Sequence, residues 1–236
     1  MTAPDAGTIK AVLFDKDGTL FDFSETWDAW ASGLLLRLAE KDRARAAFLG
    51  DAIGYDFNAA RFDPNSFVIA GTPDDAADAL HPHLPQLSRH GLLSILNEEA
   101  ASAPMSEAVP LMPLLHKLAT NNITLGVVTN DAEAPAFAHL DAANVRDAFA
   151  FVVGSDSGFG AKPDPGQMHA FCDQFDIAPH QTVMVGDSTH DLVAGRAAGM
   201  WTVAVLTGVA DHAELAPFAD SVMPDIGYLP GWLGLT

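Results

Sequence analysis

Two aspartates two positions apart, Asp15 and Asp17, stand where a short apolar run gives way to a glycine-containing turn. Residues two apart in an extended segment point to the same side, so both carboxylates can reach one metal ion and one substrate. Gly18 permits a tight turn and a close approach of a phosphate to backbone N–H groups. The same residues also suit an ordinary turn after a strand, so the pair indicates phosphate chemistry only together with other groups.

A hydroxyl and an amide follow a second apolar run. Thr129 and Asn130 come directly after residues 123–128, where a strand is predicted to give way to a helix. Helix N-termini favour anions, so these two side chains suit phosphate binding. Taken alone, ordinary N-capping by Asn130 or Asp131 is the simpler explanation of the same pattern.

A lysine in a rigid loop is the third candidate group. Lys162 is one of only 12 basic residues, and glycine and proline residues surround it. A loop of fixed conformation can hold an ammonium against a phosphate. The same segment predicts a helix start, with Asp164 as N-cap and Pro165 at the first helical position.

A second pair of aspartates completes the set. Asp187 follows the apolar run 182–185 and suits a hard cation such as Mg²⁺. Ser188 and Asp191 have the spacing of a capping box at a helix start. Capping explains Asp191, but it does not explain Asp187.

The apolar runs before these clusters predict the strands of one parallel sheet. Strands that alternate with helices indicate an α/β fold, a Rossmann-like parallel sheet sandwiched by helices. Parallel strands end at one edge of a sheet, and open parallel sheets bind ligands along that edge, so we expect the four clusters to meet there. The predicted strands lie at 10–14, 123–128, 150–153, 182–185, 202–205 and, more weakly, 221–223, with helical patterns at 109–119, 132–143, 167–175 and 192–198.

The alternation of strands and helices is interrupted after the first strand. Trp27 and Trp30 begin a series of apolar residues at helical spacing, which predicts a helix packed into a core of its own. We therefore predict a catalytic core domain formed by residues 1–20 and 104–236, with an inserted helical cap domain at residues 21–103.

The composition excludes several classes of function. Apolar residues make up 49% and charged residues 18% of the 236, which supports a buried core. The net charge of -19 argues against a nucleic-acid partner, and no apolar run reaches the length of a membrane span. Residues 1–10 lack the pattern of a secretory signal, and the single cysteine, Cys172, excludes an intrachain disulfide. The sequence predicts a cytoplasmic protein without a membrane partner.

Together the four clusters resemble the motifs of the haloacid dehalogenase-like (HAD) hydrolase superfamily, and within it the phosphoglycolate phosphatase-like branch. The motifs occur in the family's order, and the insert lies where the family carries its helical cap. The matching segments are Asp15-x-Asp17-Gly18-Thr19, Thr129-Asn130, Lys162-Pro163 and Gly186-Asp187-Ser188-x-x-Asp191.

The resemblance implies a role for each matching residue. Asp15 would attack phosphorus and form an aspartyl-phosphate, while Asp17 would protonate the leaving group and then activate water. Thr129 and Lys162 would hold phosphate oxygens. The other expected substrate-binding residues are Gly18, Thr19, Asn130 and, in the cap, Arg61, and the expected Mg²⁺ ligands are Asp15, the backbone carbonyl of Asp17, Asp187 and, more remotely, Asp191.

Two of these residues leave questions open. Arg61 is the cap residue that we expect to influence specificity, although a surface salt bridge explains it equally well. Lys16 departs from the apolar residue that most family members carry between the two aspartates. The alternation of a strand directs Lys16 away from the site toward a buried region, where a lysine must reach solvent or pair with an acid.

The implied function is Mg²⁺-dependent hydrolysis of a small phosphomonoester, with phosphoglycolate as one candidate. A phosphomutase of the β-phosphoglucomutase type needs the same aspartates and a cap that returns the phosphoryl group to a sugar. A dehalogenase needs no acid at Asp17, so that residue counts against it. A metal- or phosphate-binding protein without turnover is the alternative from another class, and the intact set of Asp15, Asp17, Lys162 and Asp187 argues against it.

Overall fold

Six parallel strands form the main sheet of the computed structural model, which describes residues 7–235 except for the side chains of residues 24–26. The order across this sheet is β5-β4-β1-β6-β7-β8, so the strand that leads to Asp15 lies in its interior. The strands are β1 (Ala11–Phe14), β2 (Tyr55–Asp56), β3 (Arg61–Phe62), β4 (Thr124–Val128), β5 (Phe151–Val153), β6 (Thr182–Gly186), β7 (Trp201–Val205) and β8 (Ser221–Met223).

Helices connect the parallel strands and fill the segment that follows β1. None of the helices within residues 7–235 combines the length and the apolar character needed to cross a membrane. The helices are α1 (Phe23–Leu38), α2 (Arg43–Ala52), α3 (Pro73–Leu80), α4 (Arg89–Ala101), α5 (Leu111–Thr120), α6 (Glu133–Ala142), α7 (Gly166–Phe175), α8 (Thr189–Ala197), α9 (His212–Leu215) and α10 (Leu229–Trp232).

The residues of β1 alternate between two apolar clusters, one on each face of the sheet. Val12 and Phe14 pack in a cluster that contains leucines of α5 and α10, whereas Ala11 and Leu13 pack with side chains of α7 and α8. Successive side chains of a strand point to opposite faces, so a strand covered on both faces must be apolar throughout. This double burial accounts for the uninterrupted apolar runs in the sequence, and the predicted fold class is confirmed.

Residues 23–101 have an apolar cluster of their own. Trp30, Leu34, Leu49 and Leu92 are among its buried members, and helices α1 to α4 supply most of it. The β2–β3 hairpin pairs only two residues on each strand. The division into a core domain and a cap at residues 21–103 stays a prediction, which this separate cluster supports, and its limits at residues 1 and 236 lie outside the described residues.

The start of α7 differs from the prediction. The helix begins at Gly166, Pro165 occupies the N-cap position, and no side chain caps the helix. The carboxylate of Asp164 instead accepts a hydrogen bond from the N–H of Gly166 at 2.9 Å. A local turn closed by an aspartate side chain has therefore replaced the expected N-cap.

Candidate active site

Asp15 follows β1 directly and lies at a cavity of about 420 Å³. Its Oδ1 accepts a hydrogen bond from the N–H of Lys16 at 2.6 Å and lies 2.8 Å from Nζ of Lys162. Burial and the neighbouring Asp191 raise the pKa of Asp15 to about 7, although Lys162 opposes the rise. To stay ionised at neutral pH, this carboxylate needs more positive charge than Lys162 supplies.

Lys162 is a fixed cation beside Asp15. Its Nζ donates to the carbonyl of Val128 at 2.9 Å and to Oδ1 of Asp191 at 2.7 Å. Burial by itself would lower the pKa of Lys162, but the carboxylates of Asp15 and Asp191 raise it above the usual range. The side chain therefore stays protonated, with three oxygen partners for its three N–H groups.

The backbone of the Lys162 loop is held by Asn130. Oδ1 of Asn130 accepts from the N–H of Lys162 at 2.8 Å. Nδ2 donates to the carbonyl of Lys162 at 2.9 Å and to the carbonyl of Ala70 at 2.8 Å. Both amide hydrogens are thus bonded to protein carbonyls, so Asn130 positions the Lys162 loop. Its contact with substrate stays a prediction.

Thr129 lies at the end of β4 and lines the cavity. Its Oγ1 accepts a hydrogen bond from the N–H of Asp131 at 3.1 Å. The hydroxyl hydrogen therefore remains available for a ligand oxygen, because no acceptor for it is found among the described residues. This geometry suits the predicted contact with phosphate.

Asp187, at the end of β6, is buried against the turn that follows Asp15. The hydroxyl of Thr19 donates to Oδ1 of Asp187 at 3.4 Å. Gly18 has a φ of +74°, and a side chain there would overlap the carboxylate of Asp187. Burial, with Asp191 and Asp15 close by, raises the pKa of Asp187 well above its usual value.

The carboxylates of Asp15, Asp187 and Asp191 form a group suited to a cation. One ligand atom from each lies within 4.8 Å of the others, and all three residues are buried. Among the described residues, the ammonium of Lys162 is the one cation paired with this group, through Asp15 and Asp191. Hard carboxylate oxygens are the ligands that Mg²⁺ prefers. The donor set therefore fits Mg²⁺. We call Asp15, Lys162, Asp187 and Asp191 the front cluster.

Asp191 differs from the other two carboxylates because both its oxygens are already engaged. Oδ1 accepts from Lys162, while Oδ2 accepts from the N–H and the hydroxyl of Ser188 at 3.0 and 2.7 Å. The capping box predicted at Ser188 and Asp191 is confirmed. These bonds favour the orientation of Lys162 as the role of Asp191, rather than direct metal binding.

A second buried lysine lies beside Asp17. Nζ of Lys16 lies 2.7 Å from Oδ1 of Asp17 and 2.9 Å from Nδ1 of His139. Oδ2 of Asp131 is 3.2 Å away, close enough for an ion pair but without hydrogen-bond geometry. Lys16 therefore pairs with acids and does not reach solvent. We call Lys16, Asp17, Asp131 and His139 the rear cluster.

His139 connects the rear cluster to α4. Its Nε2 lies 2.8 Å from the carbonyl of Ala100, so this nitrogen carries the hydrogen and Nδ1 accepts from Lys16. Burial and the charge of Lys16 lower the pKa of His139 to about 4, so the ring is neutral at neutral pH. The sequence required some partner for a buried Lys16, but the spacing could not single out Asp131 and His139.

Aromatic side chains form part of the cavity wall. Trp27 and Trp30 of α1 line it, although the sequence predicted them only as packed residues, and Asn97 of α4 lies with them. Arg61 is exposed on β3 and is not among the residues that line the cavity. Its predicted role in substrate binding remains a prediction.

Comparisons with known proteins give a matching family and several relatives. The sequence model of the haloacid dehalogenase-like hydrolases matches residues 9–199. The chain is 33% identical to a phosphoglycolate phosphatase of Rhodospirillum rubrum, over 95% of this chain and 91% of that protein. It is 28% identical to the validoxylamine A 7'-phosphate phosphatase of Streptomyces hygroscopicus, over 92% of this chain and 94% of that protein.

Solved structures share the fold. The crystal structure of CbbY from Rhodobacter sphaeroides in complex with phosphate superposes with a TM-score of 0.72 at 19% identity. The superposition covers 96% of this chain and 100% of that one. At this identity the likeness supports the fold alone.

Proposed function

The chain belongs to the haloacid dehalogenase-like hydrolase family, and we propose that it hydrolyses a small phosphomonoester with Mg²⁺ through an aspartyl-phosphate on Asp15. It is a phosphoric monoester hydrolase, as its phosphatase relatives indicate. The observation that carries the proposal is the meeting of Asp15, Asp187 and Lys162 in one cavity at the carboxyl edge of the sheet.

The residues of the chain divide the chemistry between them. Asp15 attacks phosphorus, and Lys162 exchanges one of its present oxygen partners for a phosphate oxygen and offsets the repulsion between carboxylate and phosphate. Thr129 donates its hydroxyl hydrogen to another phosphate oxygen. Asp17 gives a proton to the departing oxygen and then takes one from the water that cleaves the aspartyl-phosphate.

Asp15, the backbone carbonyl of Asp17 and Asp187 would hold the metal ion. Bound there, Mg²⁺ would neutralise charge on the phosphate and keep Asp15 ionised. Asp191 would keep Lys162 directed at the phosphate, because its Oδ1 is 2.7 Å from Nζ.

Trapping of the phosphoryl group tests the division between Asp15 and Asp17. With Mg²⁺ and an aryl phosphate whose leaving group needs no proton, Asp17→Asn should accumulate phosphoryl-protein because water lacks its base. Asp15→Asn should accumulate none, since an amide is a poor nucleophile. Intact-protein mass spectrometry after an acid quench measures both.

The steady-state rate supplies the control. Removal of a general acid and base typically costs about 10²- to 10⁴-fold, so phosphate release by Asp17→Asn should fall within that range. EDTA should abolish release by the unmodified protein. Label that persists on Asp15→Asn would mean that another residue is the nucleophile. Conversion of a sugar 1-phosphate to its 6-phosphate without phosphate release would indicate a mutase instead.

The substrate and the location of the protein can be proposed only in general terms. A small phosphorylated metabolite is the proposed partner, and phosphoglycolate, which several relatives carry in their names, is one candidate. A cytoplasmic location and the lack of a nucleic-acid partner remain predictions.

A further inference from the structure

The part of the cavity that faces away from Asp15 must hold the alcohol portion of the substrate. Attack on phosphorus places the nucleophile and the leaving oxygen in line on opposite sides. With Asp15 at one side, the leaving group extends toward the wall built by α1, α4 and residues 62–76. The charges and hydrogen-bonding groups of this wall therefore determine which alcohols the cavity can hold.

This wall carries no cation. The twelve lysine and arginine residues all lie in the described part of the chain, and Lys162 is the only one that lines the cavity. That ammonium is already held by Asp15 and Asp191 at the phosphate end. One histidine, His190, lines the cavity from α8, while Glu214 lines it as an exposed acid.

An anionic leaving group would therefore be poorly accommodated. A buried carboxylate needs a paired cation or several hydrogen-bond donors to offset the loss of water. A second negative charge would instead meet a cavity already lined by four aspartates of the two motifs, Asp15, Asp17, Asp187 and Asp191. Phosphoglycolate carries such a carboxylate.

The wall offers neutral groups instead. The indole Nε1 atoms of Trp27 and Trp30 and Oδ1 of Asn97 are buried and have no hydrogen-bond partner among the described residues. Buried indole N–H groups normally find an acceptor, so two unpaired donors and one unpaired acceptor beside a cavity are unusual. A small movement of these side chains would expose the three atoms to the cavity, where a hydroxylated ligand would accept from the indoles and donate to the amide.

The same wall presents apolar surface for the body of the ligand. Phe23, Trp27, Trp30 and Phe62 line the cavity, and the rings of Trp27 and Trp30 pack edge to face with centroids 5.1 Å apart. Aromatic faces with a few placed polar atoms are typical of sites for neutral organic ligands. The cavity of about 420 Å³ also leaves room well beyond the phosphate.

From these observations, and resting on the proposed phosphatase function, we propose that the substrate's leaving group is an uncharged, hydroxylated carbon skeleton such as a sugar or cyclic polyol. A carboxylate-bearing alcohol such as glycolate is a poor substrate for this chain. Trp30 and Asn97 select the hydroxyl groups, and the aromatic rings hold the skeleton.

Two pairs of phosphomonoesters test this selectivity without any mutation. Phosphoglycolate and 2-hydroxyethyl phosphate differ only by a carboxylate in place of a hydroxymethyl group, and so do 6-phosphogluconate and sorbitol 6-phosphate. With Mg²⁺, kcat/KM should be at least about tenfold higher for the neutral member of each pair, as expected when one charge is left unpaired in a closed site. Equal or higher kcat/KM for the carboxylates would overturn the inference.

A tryptophan variant tests the role assigned to the indole. Trp30→Phe keeps an aromatic ring but removes the N–H, so kcat/KM for sorbitol 6-phosphate should fall about five- to tenfold, as for one lost hydrogen bond. Phenyl phosphate, which has no hydroxyl to accept it, should be hydrolysed nearly as before. Trp232→Phe, at a residue outside the cavity, is the matched control. An equal loss on both substrates would show that Trp30 only supports the fold.

The outcomes separate this inference from the proposed function. Release of phosphate from the carboxylate members in preference to the neutral ones would leave a phosphatase with a different specificity. Failure to release phosphate from all four esters and from phenyl phosphate would contradict the phosphatase proposal itself.

Discussion

Two buried lysines, Lys16 and Lys162, pair with the two aspartates that follow β1. They differ in whether they line the cavity. Lys162 in the front cluster lines the cavity and meets the carboxylates of Asp15 and Asp191. Lys16 in the rear cluster is completely buried and meets Asp17, Asp131 and the neutral ring of His139. Each ammonium has carboxylate partners, but Lys162 lines the cavity whereas Lys16 does not, although its partners Asp17 and Asp131 do.

The two clusters contain similar groups but differ in how the charge of their carboxylates is balanced. In the front cluster three buried carboxylates share one ammonium, and burial together with the neighbouring carboxylates raises the pKa values of Asp15 and Asp187. A divalent cation would offset the remaining negative charge of the three carboxylates. The rear cluster has two carboxylates and the Nδ1 atom of His139 around its ammonium, although Oδ2 of Asp131 has no hydrogen-bond partner among the described residues.

The largest expected difference is in catalysis. Lys162→Met should lower kcat for phosphate release by about 10²- to 10³-fold, the usual loss when one group that stabilises the transition state is removed. Lys16→Met should cause a smaller loss, because Lys16 contacts Asp17 but not the phosphate. Steady-state kinetics of the two variants with the same ester measures this, and equal losses would contradict the assignment of the two clusters.

Added Mg²⁺ provides a matched control on the same two variants. Metal bound to the front carboxylates would replace the charge lost in Lys162→Met, so Mg²⁺ should raise its thermal midpoint. A ligand at 100 times its dissociation constant stabilises the folded state by about 2.7 kcal/mol. Lys16→Met keeps the front cluster intact, so Mg²⁺ should raise its thermal midpoint only by as much as it raises that of the unmodified protein, and the loss caused by the missing Lys16 should remain.

The next largest effect is on stability. Lys16→Met leaves Asp131 buried beside an apolar side chain, and loss of one partner of a buried pair typically costs about 3–5 kcal/mol. Urea denaturation in EDTA should show this loss. The double variant Lys16→Met with Asp131→Leu should regain much of it, because an apolar pair of similar volume needs no counter-charge.

An exposed ion pair is the control for this stability effect. Nη1 of Arg146 lies 3.1 Å from Asp141, and both side chains are about half exposed. Arg146→Met should change the free energy of unfolding by less than about 1 kcal/mol. A rear-cluster variant no less stable than this control would mean that Lys16 contributes nothing to the fold.

The sequence predicted the front cluster far better than the rear one. Asp15 and Asp187 each follow an apolar run directly, and Lys162 lies in the loop after another. Parallel strands must end at one edge, so pattern and topology together bring these residues to one cavity. Nothing comparable connects Lys16 to His139, which lies 123 positions away. The direction of Lys16 could be predicted from strand alternation, but its partners depend on how α6 packs.

The sequence also could not show which residues line the cavity. Helical spacing predicts that Trp27 and Trp30 are packed, and Trp30 does belong to the apolar cluster of residues 23–101. Spacing cannot tell which edge of such a cluster remains open to a cavity. Arg61 is the opposite case. The sequence suggested a role in specificity because it is a charged residue in the cap, but the structure leaves it exposed on β3.

The last difference to test between the two clusters is how the stability of the fold depends on pH. A carboxyl group whose pKa is raised in the folded protein binds its proton more tightly when folded. It therefore stabilises the fold fully below the unfolded pKa, and that stabilisation is lost as the pH rises through the folded pKa. For Asp15 this window runs from 3.8 to about 7. One such group contributes at most about 1.4 kcal/mol per pH unit.

The two clusters should respond to pH differently for this reason. In the front cluster Asp15 and Asp187 both have raised pKa values, so their slopes add. In the rear cluster the pKa of Asp131 is raised to about 6 and that of His139 is lowered to about 4, so the carboxyl loses stability with rising pH while the histidine gains it. These two contributions largely offset each other between pH 4 and 6.

Urea denaturation in EDTA at several pH values between 4 and 8 can separate these contributions. The free energy of unfolding should fall toward pH 7, and Asp15→Asn should flatten the curve because it removes one titrating group and relieves Asp187. Asp131→Asn should change the curve only below about pH 6. Mg²⁺ should reverse the decline, since it binds the ionised carboxylates and its affinity rises as they lose protons. A decline that Asp15→Asn leaves intact would place the missing charge outside the front cluster and remove the electrostatic reason for a metal there.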